Sequence, residues 1–200
     1  SPDPFDLFNE YGTDAVRFGT LLMAPQGLDV LFSNSRLEVG RNFMNKLWNA
    51  SRFIQMNLED GKLPQIDLDS IELDMPERWI LSQLNQTAMK VNRQLDRFHF
   101  NEAAKAIYEF TWSDFCDWYI EIAKTRFYGD NPEKANISRS VAVHVIQGIL
   151  KLLHPYSPFI TEELWAHFKT EEEQLMISTP WPIVNANLIK DKIENEIEIL

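Results

Sequence analysis

One cysteine, Cys116, is present in 200 residues, so no internal disulfide can form. Glycine is scarce, and its seven positions are dispersed, which leaves no glycine-rich loop able to cradle a phosphate. No apolar run reaches the roughly 20 residues a bilayer requires, and no charged-then-apolar leader opens the chain. A membrane span is therefore excluded and a cytoplasmic location is expected. The histidines His99, His144, His154 and His167 stand apart without ligand spacing, and no serine or cysteine sits in a nucleophile motif. Neither a metal site nor catalytic machinery is expected within the chain. Positive charge is also short: 19 Lys and Arg against 30 Asp and Glu give a net charge of −11. Such a field repels phosphate, so any nucleic-acid contact must be local.

What remains reads as all-α. Apolar residues make up 44% of the chain and recur at helical spacing among Leu, Ile, Glu, Lys, Gln and Asn. In SPDPFDLFNEYG, Asp3 is placed to cap a short helix, with Pro4 in its first turn and Gly12 at its end; Thr13 then caps a second helix that stops at Pro25. LDVLF at 28–32 suits a short edge strand. A long helix is expected from Ser33 or Ser35 to about Leu58, followed by a polar loop. Further long helices are expected from Met75 to Arg97, from Asn101 to Tyr128 and from Glu133 to His154, and then a short one capped by Ser157 with Pro158 at its first position. Long helices joined by short loops are the pattern of an antiparallel bundle. The tail is interrupted by Pro180 and Pro182 and ends in KDKIENEIEIL, a helical pattern that stops mid-run, as expected of a piece of a longer protein.

Two stretches carry chemistry. In RNFMNKLWNASRF, residues 41–53, no acid appears. At 100° per residue Arg41, Asn45, Asn49 and Arg52 fall within about 80° of one another, with Lys46 and Phe53 on the flank, while Phe43, Leu47, Ile54 and Leu58 gather opposite. The first face is a strip of N–H donors beside an aromatic ring, with no carboxylate to neutralise it in place, which is what single-stranded nucleic acid requires. On spacing alone, a solvated helix face with Phe53 at the core edge is the commoner origin of such a pattern. In EFTWSDFCDWYIE, residues 109–121, the acids Asp114, Asp117 and Glu121 share a stripe with Glu109 nearby, and Trp112, Phe115, Tyr119 and Ile122 share another. Without histidine or a second cysteine nearby, the acids are expected to face water or pair with basic neighbours and the aromatics to fill the core. Phe43, Leu47, Ile54, Trp112, Phe115, Tyr119, Ile149 and Leu153 are the expected core.

GTDAVRFGTLLMAPQGLDVLF, RLEVGRNFMNKLWNASRF, EFTWSDFCDWYIEIAK and LLHPYSPFITEELW, in this order and spacing, resemble the valyl-tRNA synthetases, class I aminoacyl-tRNA synthetases. The likeness spans nearly all of residues 3–182. It implies a small stem-contact region at residues 1–33 following the catalytic domain, an anticodon-binding helical bundle at 34–170, and a linker at 171–200 toward a further C-terminal segment. It also implies that Phe53 stacks on the anticodon loop, that Arg41, Asn45, Lys46, Asn49 and Arg52 contact the RNA beside it, and that the partners are the anticodon stem-loop of tRNA(Val) and the catalytic domain of the same chain. ATP and Mg belong to the parent enzyme, an ATP-dependent valine-tRNA ligase, with no cofactor and no activity expected of this piece alone. Isoleucyl and leucyl relatives share the bundle, but NKLWNASRF and DFCDWYIE favour valine. A helical protein-interaction module docking an acidic partner is the alternative of another class.

Overall fold

A computed structural model describes residues 2–23, 33–64, 71–170 and 175–189. The edge strand expected at 28–32 and the helical tail at 190–200 lie outside the described residues. Every regular element among those described is helical.

The opening helices follow their sequence signals closely. Asp3 accepts a 2.9 Å hydrogen bond from the Phe5 amide and Pro4 begins α1, Pro4–Tyr11. Gly12, at φ 90°, takes a backbone conformation that a side chain would resist, and this allows α2, Thr13–Met23, to start at once. Thr13 is the first helical residue and not the cap: the Val16 amide donates to the Gly12 carbonyl. Helix α2 lies across α3, Asn34–Met56, in near backbone contact. A Cβ added at Gly40 would sit 2.3 Å from the Ala15 carbonyl oxygen, and one at Gly19 would sit 2.9 Å from the Arg36 carbonyl oxygen.

After a 3₁₀ turn at Glu59–Gly61 the chain forms α4, Met75–Leu95, and reverses. One continuous helix then runs as α5, Phe100–Glu109, a π-helical stretch, Phe110–Tyr119, and α6, Ile120–Phe127. The expected helix over Asn101–Tyr128 is thus present, but its middle is wound more loosely, with the Ile120 amide reaching the Phe115 carbonyl. Helix α7, Pro132–Leu153, and α8, Pro158–Phe168, complete the bundle. Asn131 caps α7 by accepting from the Lys134 amide at 3.0 Å.

Ser157 stands at the cap position of α8 but makes no capping bond, and its hydroxyl is buried without a partner. The role falls to Asp14 of α2, which accepts a 2.6 Å bond from the Ile160 amide. Arg17 donates to the Tyr156 and Pro155 carbonyls at 3.2 Å each. The turn between α7 and α8 is therefore held from α2 at two points. Burial of the Asp14 carboxyl raises its pKa, against the lowering effect of the α8 amides.

Phe43, Leu47, Ile54, Phe115, Tyr119, Ile149 and Leu153 are fully buried, as the helical spacing predicts. Trp112 is not. The looser π turn changes the angle between successive side chains, and Trp112 ends half-buried at the rim, stacked on Tyr108 at 5.6 Å between centroids. Trp112→Ala is accordingly expected to cost about 1–2 kcal/mol in urea unfolding, below the roughly 3–5 of a fully buried ring. A loss above 3 kcal/mol would put the ring in the core.

At the other end of the bundle Glu77 is fully buried. One oxygen accepts from the Ser138 hydroxyl at 2.7 Å, and Arg126 lies 3.0 Å from the other, a charge contact without hydrogen-bond alignment. Arg126 also reaches Asp74 at 3.1 Å, and Lys134 bonds Asp74 at 2.9 Å. Burial pushes the Glu77 carboxyl up, opposed by Ser138 and Arg126, while the Lys134 bond holds Asp74 below its usual range.

Candidate nucleic-acid interface

Helix α3 is built to show two faces. Its apolar residues recur every three or four positions and bury Leu37, Phe43, Leu47 and Ile54, so the opposite side is left to water. On that side Asn42, Asn45, Asn49 and Arg52 are exposed. Arg41 is half-buried, its guanidinium 5.4 Å from the centre of the Tyr11 ring, a contact that fixes its reach. These donors share one strip, as the spacing predicts. Glu38, also exposed, lies one turn before Arg41 and bounds the acid-free stretch.

Lys46 behaves differently. Its ammonium pairs with Asp117 of the π-helical stretch and lies 4.4 Å from the centre of the Trp112 ring. No acid of α3 neutralises the strip, but an acid from the neighbouring helix does so at this position, a pairing that a single-helix projection cannot show. Phe53 is half-buried: its ring stacks on Phe127 with 5.9 Å between centroids and 20° between planes, and the Lys124 ammonium lies 5.5 Å from its centre. The structure thus groups Arg41, Asn45, Asn49 and Arg52, sets Phe53 at one border and turns Lys46 toward the next helix. Trp48, absent from the sequence-based site, is 41% exposed at the other border. The same helical projection that grouped the donors places it about 20° from Arg41, so its signal was present.

The acidic stripe beside the aromatics is accounted for by pairing. Glu109 lies 3.9 Å from Lys90 and 3.8 Å from Lys105, Glu121 binds Lys124 at 2.6 Å, and Asp117 holds Lys46. Among the described residues no group of three His, Cys, Asp or Glu is placed to hold a metal. The Cys116 thiol is buried and pushed up to about 12, which removes it as a nucleophile near neutral pH. His99 bonds Gln94 and His154 bonds Thr161, both within the bundle. Among the described residues, no helix is long and apolar enough to cross a membrane. A surface of donors bordered by rings is left, suited to binding.

Residues 77–200 match the family described as the anticodon-binding domain of tRNA ligase. The chain belongs to this family. The match starts inside α4, so α3 lies ahead of it; full-length relatives cover that part. A valine--tRNA ligase of Fusobacterium nucleatum subsp. nucleatum is 45% identical over 100% of the chain, which spans 23% of that relative. Another, from Syntrophotalea carbinolica, is 47% identical over 88% of the chain and 20% of its own length. The chain therefore spans about a fifth to a quarter of these relatives. Among solved structures, the agnB2 LeuRS of Agrobacterium radiobacter K84, in a ternary complex with tRNA and LeuAMS, superposes with a TM-score of 0.71 at 25% identity, over 94% of the chain and 22% of LeuRS. The methionyl-tRNA synthetase of Mycobacterium tuberculosis bound to Met-AMP gives 0.68 at 21% identity, over 82% of the chain and 33% of the synthetase, and shows the shared fold. Among the described residues the matched part is thus all-α, and the donor strip of α3 lies just ahead of it.

Proposed function

We propose that the chain is the anticodon-binding part of a valine-tRNA ligase and holds the anticodon stem-loop of tRNA(Val) against α3 while a catalytic domain of the same polypeptide, using ATP and Mg, attaches the amino acid. The observation that carries this is the full-length likeness to valine--tRNA ligases, which extends over the donor strip itself. Residues 1–33 serve as the stem-contact region, 34–170 as the anticodon-binding bundle and 171–200 as a linker, in the cytoplasm. ATP and Mg act in the catalytic domain of that longer ligase.

In this reading Arg41 and Arg52 meet phosphates, the Asn45 and Asn49 amides meet base edges, Phe53 stacks on a base, and Lys46 exchanges its bond to Asp117 for a phosphate. Placing four donors on one helix face lets a locally favourable surface overcome a net charge of −11. Titration of the chain with valine-type and mismatched anticodon stem-loops tests this. Phe53→Ala is expected to weaken binding by roughly 1–3 kcal/mol, with Phe53→Tyr keeping most of the affinity. Arg41→Ala and Arg52→Ala are each expected to reduce the slope of log K against log salt by about 0.7 for every phosphate left without its cation. Equal affinity for both stem-loops, or tighter binding to an acidic peptide, overturns the assignment.

A further inference from the structure

We propose that Trp48 is a second base-stacking platform, so that the donor strip of α3 is bordered by an aromatic ring on each side and engages two unstacked bases of an RNA loop rather than one. The proposal rests on the anticodon-loop reading of α3. Around the helix axis Arg41, Arg52, Asn45 and Asn49 occupy an arc of about 80°, Trp48 stands about 20° beyond one end and Phe53 about 40° beyond the other. Every donor of the strip therefore lies between the two rings. No carboxylate of α3 falls between them from Arg41 onward.

The rings differ in what already holds them. Phe53 is stacked on Phe127, so part of its π surface is taken. Trp48 is 41% exposed, and among the described residues neither a ring nor a hydrogen-bond partner engages it. Its indole is the larger surface, with an N–H donor at the edge, and every base has a π face for it to meet. A single base cannot bridge both rings. They lie five residues apart, about 7.5 Å along the axis and about 140° around it, so the helix body, roughly 10–12 Å across, separates them. The two platforms must then take different bases, with donors between them facing the connecting phosphate and base edges. An acidic peptide would satisfy the donors but would give no use to a ring at each border.

The test is a coupling experiment on the full chain with a valine-type anticodon stem-loop and single abasic replacements along its loop. With affinity measured well below the melting point, Trp48→Ala is expected to weaken binding about ten-fold and Trp48→Phe to restore most of it, with an unchanged salt slope. At one abasic position the Trp48→Ala penalty should vanish, and that position should differ from the one that cancels Phe53→Ala. Trp48→Ala binding within two-fold of the parent chain, or both variants cancelled at the same position, overturns the proposal while leaving the anticodon reading intact. A parent chain that fails to bind any stem-loop overturns both.

Discussion

Gly40→Ala is expected to destabilise the chain by about 3 kcal/mol or more, a large effect for the addition of one methyl group. The new Cβ would lie 2.3 Å from the Ala15 carbonyl oxygen. That atom belongs to the backbone of α2, so relief requires the whole helix to move, and α2 is anchored by Phe18, Asp14 and Arg17. Alanine favours a helix over glycine by about 0.5–1 kcal/mol, which offsets only part of the clash. Gly148→Ala is the informative control. Its Cβ would meet the Leu84 side chain at 3.0 Å, and a leucine end can turn aside where a carbonyl cannot. Near-neutral stability is expected there in urea unfolding. If Gly40→Ala also lost less than 1 kcal/mol, α2 and α3 would be packed too loosely for their backbones to touch at this point.

Arg126→Met is expected to cost about 3–5 kcal/mol at neutral pH, because it leaves the Glu77 charge buried without its cation. Ser138 still donates to one oxygen, but a neutral hydroxyl does not replace a guanidinium. The pH dependence distinguishes this cause from lost packing. Burial already raises the Glu77 pKa above its unfolded value, and removal of Arg126 raises it further. The folded variant then holds a proton that the unfolded chain releases more readily, so the deficit is smallest below the unfolded pKa of about 4.3 and grows as pH rises through the raised folded value. Glu77→Gln in the Arg126→Met background should recover stability at pH 7. A deficit that is the same at pH 5 and pH 8 would assign the loss to packing.

Much of this fold was legible in the chain because its helices announce their ends. Pro4, Pro76, Pro132 and Pro158 all sit in first turns, where a missing amide costs nothing, and Gly12 closes α1 as expected. The core side of α3 was equally readable, since Phe43, Leu47 and Ile54 repeat at helical spacing. The misses have one physical origin: they depend on a second helix. Asp14 capping α8, Asp117 taking Lys46 and Arg126 meeting Glu77 bring together residues 146, 71 and 49 positions apart, and a pattern read along one helix contains none of these meetings. Trp112 was misplaced for a related reason, because a uniform 100° step cannot represent a π-helical stretch. The spacing set Phe53 on the flank of the strip, but its stack on Phe127 comes from α6.

The bonds from Asp14 and Arg17 to the turn between α7 and α8 also set an order on synthesis. The start of the chain is translated first, yet the amide of Ile160 and the carbonyls of Pro155 and Tyr156 that satisfy it emerge only after some 140 further residues. Helices α1 and α2 can form and lean on α3 early, but the carboxylate of Asp14 and the guanidinium of Arg17 must wait, hydrated, until α8 leaves the ribosome. Helix α8 and the turn before it are therefore the piece that locks α2 in place, and a nascent chain ending before residue 155 carries a complete donor strip on a scaffold that has not yet closed.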